Sequence, residues 1–441
     1  MILSDSLLTR LLGSIAADRL MLLCGAGLSI PPPSSLMSAL VVSQTCYDAY
    51  QHIVVLPPNL RDNIDLLAGH FLGTGEFESV FIGTLVPWND LVGKPNIGHA
   101  AIGDFLITRA ATAVLSANFD VLIEQWAAEN KIAMLGALNG VEAVAPSQST
   151  PLVKFHGCLN RNREETLWTQ GQLASSAIAR RVQSCSNWMS LNLPGKDLLV
   201  IGFWTDWGYL NNVLAGAIAT APFRSVTVVD PLSDSNLQSK APNLWAKLTA
   251  PGIPFQHIQA SGVEALEEIR AAFSRGWLRK FYEFGRPLFR AGGGAYSAAA
   301  VEPPAAMDCE TLYNLRRDAE GVPYNRAACE KQPAVESAQA AFANLLLIHG
   351  GATRDGAWYI HGAKRIRVVH GGGQALSSVR QRYNEPPSTG VADIVVCAGS
   401  IDLGVPGSIV ATGAGSSMVR PAPGGGSKWL TLELARIELG L

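Results

Sequence analysis

No two of the seven cysteines (Cys24, Cys46, Cys158, Cys185, Cys309, Cys329 and Cys397) stand in C-x-x-C spacing. An odd, scattered set writes neither a disulfide framework nor a zinc knuckle, so no metal site is expected. An excess of one charge is also missing. With 34 basic against 36 acidic residues and a net charge of −2, nothing advertises a strong grip on nucleic acid or on an anionic membrane. No uninterrupted apolar run approaches the ~20 residues that a bilayer span requires. The first residues, MILSDSLLTRLLGSIAADRL, contain acidic groups and lack the basic start and apolar core of a signal peptide. A cytoplasmic protein is the expectation. Charged residues are scarce as well, at 16% against 48% apolar, which excludes global disorder and suits a packed α/β chain of two or three domains.

What is present is an alternation. Leu7, Leu8, Leu11, Leu12 and Ile15 share a face of a helix over Ser6–Arg19. Apolar strand candidates follow at 20–23, 112–116 (TAVLS), 151–156 (PLVKFH), 196–203 (KDLLVIGF) and 224–231 (RSVTVVDP). Helical patterns lie between them, at 100–110, VLIEQWAAEN, QLASSAIARRVQSCSNWMSLNL and YLNNVLAGAIA. Strands separated by helices require crossovers, and hence a doubly wound parallel sheet of the Rossmann-like kind. Residues 35–95 read as a helical insertion. Near 286 the chain turns rich in Gly, Ala, Ser and Pro, so the organisation expected is a main domain over 1–285, a linker over 286–309 and a small α/β module over 310–441. In that module RIRVVH, ADIVVCAG and GSIVATG are strand candidates and SAQAAFANLLLIHG a helix.

Ligands of such sheets bind beyond the carboxyl ends of the strands, so the residues there matter most. The first strand ends in Gly25-Ala26-Gly27 with Ser29 after it: either a tight turn or a cradle in which backbone N–H groups meet a diphosphate. The second ends in SANFD. Asn118 and Asp120 are two apart and point the same way in extended chain, although either could instead cap the helix that follows. The third ends at His156-Gly157, a core histidine or a general base. Gly202 ends the fourth, and Asp230 ends the fifth as acidic groups do when they hold a ribose hydroxyl.

Taken in order, these motifs resemble the sirtuin family over about residues 5–275. GAGLS is similar to its GAG-x-S, KPNIGHAAI (Pro95, Asn96, His99) to its P-N-x-x-H, SANFD to its N-x-D and FHG to its histidine motif. The resemblance implies a sirtuin-type fold with NAD as substrate. It implies the diphosphate on Gly25, Ala26, Gly27 and Ser29, later cofactor contacts at Gly202 and Asp230, Asn118 on the ribose or a water, Asp120 facing the nicotinamide amide, and His156 as the base.

The departures are equally informative. Where the deacylases of the family carry four zinc cysteines, this chain offers Cys158 and Cys185 alone, and both the F-G-E peptide stretch and the G-I-P-x-F-R loop are absent. Without an acyl-lysine groove, the chain looks like the branch that hydrolyses NAD in prokaryotic antiphage abortive infection, and no zinc is expected. That resemblance implies a homo-oligomer and a partner protein (an ATPase, an argonaute-like protein or a phage trigger protein). A binding-only NAD or ADP-ribose sensor and an ADP-ribosyl transferase are the competing readings. HGGGQ at 370–374 is either a flexible glycine loop or a second nucleotide loop.

Overall fold

The computed structural model describes residues 2–145, 150–323, 330–383, 392–402 and 427–441. The strand candidate GSIVATG and Cys329 lie outside them. The chain divides into two compact units, Met1–Glu129 with Ala133–Ile269, and Asn130–Ile132 with Arg270–Leu441.

The first unit is built on six strands: β1 (Leu20–Cys24), β2 (Ala113–Ser116), β3 (Leu152–Lys154), β4 (Asp197–Ile201), β5 (Ser225–Asp230) and β6 (Phe255–Gln259). All pair in parallel, in the order β3-β2-β1-β4-β5-β6. The doubly wound sheet is therefore as the alternation predicts. Every residue of LMLLC, AVLS, LVK and DLLVI is buried, because helices cover both faces of a parallel sheet. The sixth strand is one that the pattern does not reveal: FQHIQ is half-buried at the sheet edge and has no apolar run.

Residues 35–95 fold as helices Ala39–Tyr50 and Ile64–Thr74 followed by a π-helical stretch Phe77–Leu85. They bury a core of their own, in which Phe71 and Phe77 both stack on Phe81. Phe119, the residue between Asn118 and Asp120, packs against this aromatic cluster, 4.9 Å from the Trp168 ring and 6.0 Å from that of Trp88.

In a sheet of this order the strands diverge between β1 and β4, the place where a ligand crevice forms. The loops after these two strands mesh through glycine. Gly27 N–H donates to the Gly202 carbonyl at 2.9 Å, and a Cβ on Gly27 would lie 2.7 Å from the Gly202 Cα. Gly202 itself is left-handed (φ +61°), and its own Cβ would meet the Leu28 nitrogen at 2.5 Å.

The second unit carries β7 (Thr353–Asp355), β8 (Trp358–His361), β9 (Lys364–His370), β10 (Ile394–Ala398) and β11 (Lys428–Thr431), in the order β11-β10-β9-β8-β7. β9, β10 and β11 are parallel, whereas β7, β8 and β9 are antiparallel. HGGGQ turns away from β9, tied to the next loop by Gly371 N–H on the Ala398 carbonyl and Gly373 N–H on that of Gly399. The segment expected to begin a linker at 286 is still helical. Helix Gly262–Ala291 runs through Pro287 because Phe281, Tyr282 and Phe289 remain buried along it. Among the described residues no helix is long and apolar enough to cross a membrane.

The loop mesh sets a stability prediction. Gly195 is also left-handed (φ +69°), but a Cβ there meets nothing within 4 Å. Gly195→Ala is expected to cost ~1 kcal/mol of backbone strain, and Gly202→Ala ~2–4 kcal/mol because overpacking is added. Urea denaturation of the two variants checks the order, which equal costs would refute.

Candidate functional site

Three neighbouring strands end in polar chemistry. Ser29 follows β1, Asn118 and Asp120 follow β2, and His156 follows β3, so these groups occupy consecutive places along one carboxyl edge, strands being ~4.8 Å apart.

The first two of these places are joined by hydrogen bonds. Ser29 Oγ donates to Asp120 Oδ2 at 2.8 Å and accepts from Asn118 Nδ2 at 3.2 Å. The expectation that Asn118 and Asp120 point the same way therefore holds: with Phe119 held on the opposite side, both reach one hydroxyl. Asp120 also caps, since its Oδ1 accepts from the Leu122 N–H that opens helix Leu122–Glu129.

His99 completes the network. Asn96 N–H donates to His99 Nδ1 at 3.2 Å, so the neutral ring carries its proton on Nε2, which lies 3.2 Å from Ser29 Oγ. Burial, opposed by Asp120, pushes His99 down to about 4 and keeps it neutral. Ser29 thus gives its one hydrogen and fills both lone pairs inside the protein. Asn96 and His99 are fixed by a capping box at the start of helix Ile97–Ile107, and the Asn96 amide also donates to the Leu28 carbonyl at 2.8 Å. The sequence offered the Asn-x-x-His spacing but gave no hint that the ring would turn onto Ser29.

The glycine turn is largely self-satisfied. The N–H groups of Gly25, Gly27, Leu28 and Ser29 all donate within the chain, whereas that of the exposed Ala26 bonds to no described residue. Gly25, like Gly27, has its Cβ space filled by the Gly202 loop. Asp230 turns its carboxylate onto its own loop, accepting from Leu232 N–H at 2.9 Å.

A buried cation lies beneath the edge. Lys154, 1% exposed at the end of β3, donates to the Asp120 carbonyl and pairs with Glu124 at 3.1 Å. Burial lowers its proton affinity, but Glu124, Cys158 and Asp120 reverse the effect and leave it raised, so the ammonium persists. A charge inside the apolar run PLVKFH is the sign by which it could have been found.

His156 makes no hydrogen bond to the Ser29 network. Its ring packs 4.7 Å from the Trp207 ring and 6.2 Å from that of Tyr209, and its Nε2 is sealed without a partner among the described residues. Burial first and the Arg181 guanidinium second push it down to about 3. Cys158 and Cys185 are buried free thiols, and Cys185 donates to the Leu138 carbonyl. No group of three or more His, Cys, Asp or Glu among the described residues could hold a metal ion.

Residues 112–249, from β2 past β5, match the family model described as a SIR2-like domain. No curated protein matches the chain. Among solved structures it is similar to a complex of Sir2 with a p53 peptide and NAD+, at 13% identity over 65% of this chain and 98% of the other, with a TM-score of 0.33. It is also similar to Sir2 bound to acetylated peptide, at 13% identity over 65% and 99% with a TM-score of 0.32. Scores of this size do not superpose one site on another, and the fold assignment rests on the strand order itself.

Both buried rings make stability depend on pH. Their folded values, about 4 and about 3, lie below the ordinary 6.5, so below pH ~6.5 the unfolded chain binds protons that the folded one refuses. Stability is full above that pH and falls as the pH drops towards 4 and 3, by up to ~1.4 kcal/mol per pH unit for each ring. Urea midpoints at pH 5 should lie below those at pH 7. Equal midpoints would contradict the buried neutral state.

Proposed function

We propose that this chain hydrolyses NAD+ to nicotinamide and ADP-ribose. The observation that carries the reading is the joining of Asn118 and Asp120 through Ser29 on the strand beside that of His156, at the edge where a doubly wound sheet takes its ligand. The SIR2-like match over the same strands supports it.

The chemistry asks little of the protein. Nicotinamide leaves as a neutral molecule with the electron pair of the C1′–N bond, so no strong acid is required. What needs stabilising is the oxocarbenium-like ribosyl centre, and what needs placing is a water. Because Asn118 uses Nδ2 on Ser29, its Oδ1 is left as an acceptor that orients the water. The water oxygen bonds to C1′, and its proton passes to the unprotonated nitrogen of His156. Asp120, held by Ser29 and Leu122, faces the nicotinamide amide. Ala26 N–H is the free donor at the turn for the diphosphate, with Gly25, Gly27 and Gly202 shaping the crevice and Asp230 towards the second ribose.

An enzyme that destroys NAD must be held in check, and we read the second unit as the part that restrains or triggers it, in a cytoplasmic homo-oligomer acting with a partner in antiphage defence. The test incubates purified protein and NAD+ with lysate of phage-infected and uninfected cells. Equal release of nicotinamide and ADP-ribose is expected, with turnover lowered ~10²-fold or more in Asn118→Ala and His156→Ala. Nicotinamide with labelled macromolecule would instead mean transfer, and binding without release would mean a sensor.

A further inference from the structure

Behind His156 lies a group of sealed polar atoms that the proposed reaction does not use. His156 Nε2, the Tyr209 hydroxyl and Arg181 Nε are all closed from solvent without a hydrogen-bond partner among the described residues. Three such atoms on elements packed together are unusual, because buried polar groups are nearly always paired with protein or with an ordered water. They come from adjacent elements: Arg181 from helix Ser176–Asn192, Tyr209 from helix Gly208–Thr220, and His156 from the end of β3.

Their bonding capacities are complementary. Arg181 can only donate, and its Nη1 and Nη2 already serve the carbonyls of Phe155 and Glu165, at 3.0 and 2.9 Å. Its Nε is 3.5 Å from Glu165 Oε2, an ion pair without a hydrogen bond. The Trp207 indole, the ring nearest to His156 from that helix end, also only donates. Tyr209 is the neighbouring ring that offers both an acceptor and a donor, and its centroid lies 6.2 Å from that of His156. Burial holds the phenol protonated, so its oxygen is a neutral acceptor. Cys185, the other titratable group beside Arg181 and Tyr209, is committed to the Leu138 carbonyl.

We propose that Tyr209 is a positioning residue for His156: its phenol oxygen holds the Nε2–H of the imidazole through one buried water shared with Arg181, and leaves the Nδ1 lone pair on the ligand side. The inference rests on His156 acting as the proton acceptor of the reaction above. A base must be held in one tautomer by a third group if its free nitrogen is to face the substrate. When Nδ1 takes the proton from water, the phenol oxygen stabilises the Nε2–H of the imidazolium without itself changing charge.

The test reads the ring rather than turnover. In the full chain labelled with ¹⁵N-histidine, His156 is assigned by its loss in His156→Gln, and its two nitrogens report the tautomer. The wild type is expected to show a single neutral ring protonated on Nε2, and Tyr209→Phe, which keeps the aromatic packing, a mixture of both tautomers. An Nδ1–H or mixed ring in the wild type overturns the proposal, as does an unchanged spectrum in Tyr209→Phe. Absence of NAD hydrolysis in the wild type would refute the proposed function separately, because the tautomer is read without substrate.

Discussion

Ser29 has one hydrogen to give and two lone pairs to fill, and the fold uses all three inside the protein. Asp120 receives the hydrogen, while Asn118 and His99 fill the lone pairs. Each of these commitments fixes a partner. The Asn118 amide is turned so that its nitrogen faces inward and its oxygen outward, and the His99 tautomer follows from the backbone N–H of Asn96 on its far side. A buried hydroxyl whose hydrogen and both lone pairs are all used holds its partners in place, since a rotation strands a desolvated group at a cost of ~1–3 kcal/mol. The orientation of the outward edge is thus settled before any ligand arrives.

Packing holds that network at the sheet edge. Phe119 is drawn into the aromatic cluster of the helical insertion, which leaves its two polar neighbours on the side of Ser29. Lys154 grips the Asp120 carbonyl from below, and its charge stays buried because Glu124 accompanies it. On the other side of β1 the two glycine loops interlock closely enough to exclude a methyl group. The insertion therefore does more than cap the sheet. Its aromatic core is the reason that N-F-D presents a polar pair.

Much of this was legible in the chain. Fully buried parallel strands announce themselves as apolar runs, and the residues just past their ends pointed to the edge where chemistry collects. What stayed hidden depends on contacts between distant segments. His99 is 70 residues from Ser29, and nothing local says that they touch. Tyr209 and Arg181 meet His156 through helices whose relative placement no periodicity records. Strand β6 escapes the apolar pattern because an edge strand needs little apolar side chain, and the helix past residue 286 because a proline obscures a buried aromatic face. The glycine turn reads from the sequence as either a tight turn or a phosphate cradle, and in the fold Gly25 and Gly27 make room for the Gly202 loop.

The central claim is that one crevice, lined by the turn at Gly25–Ser29 and by Asn118 and His156, takes the nicotinamide half of NAD+. A crystal structure of the chain with a non-hydrolysable NAD analogue tests it most directly. The account predicts the diphosphate over Ala26 and the nicotinamide riboside between the Asn118 amide oxygen and the imidazole of His156. An analogue seated elsewhere, with Asn118 and His156 both out of contact with it, would contradict the account.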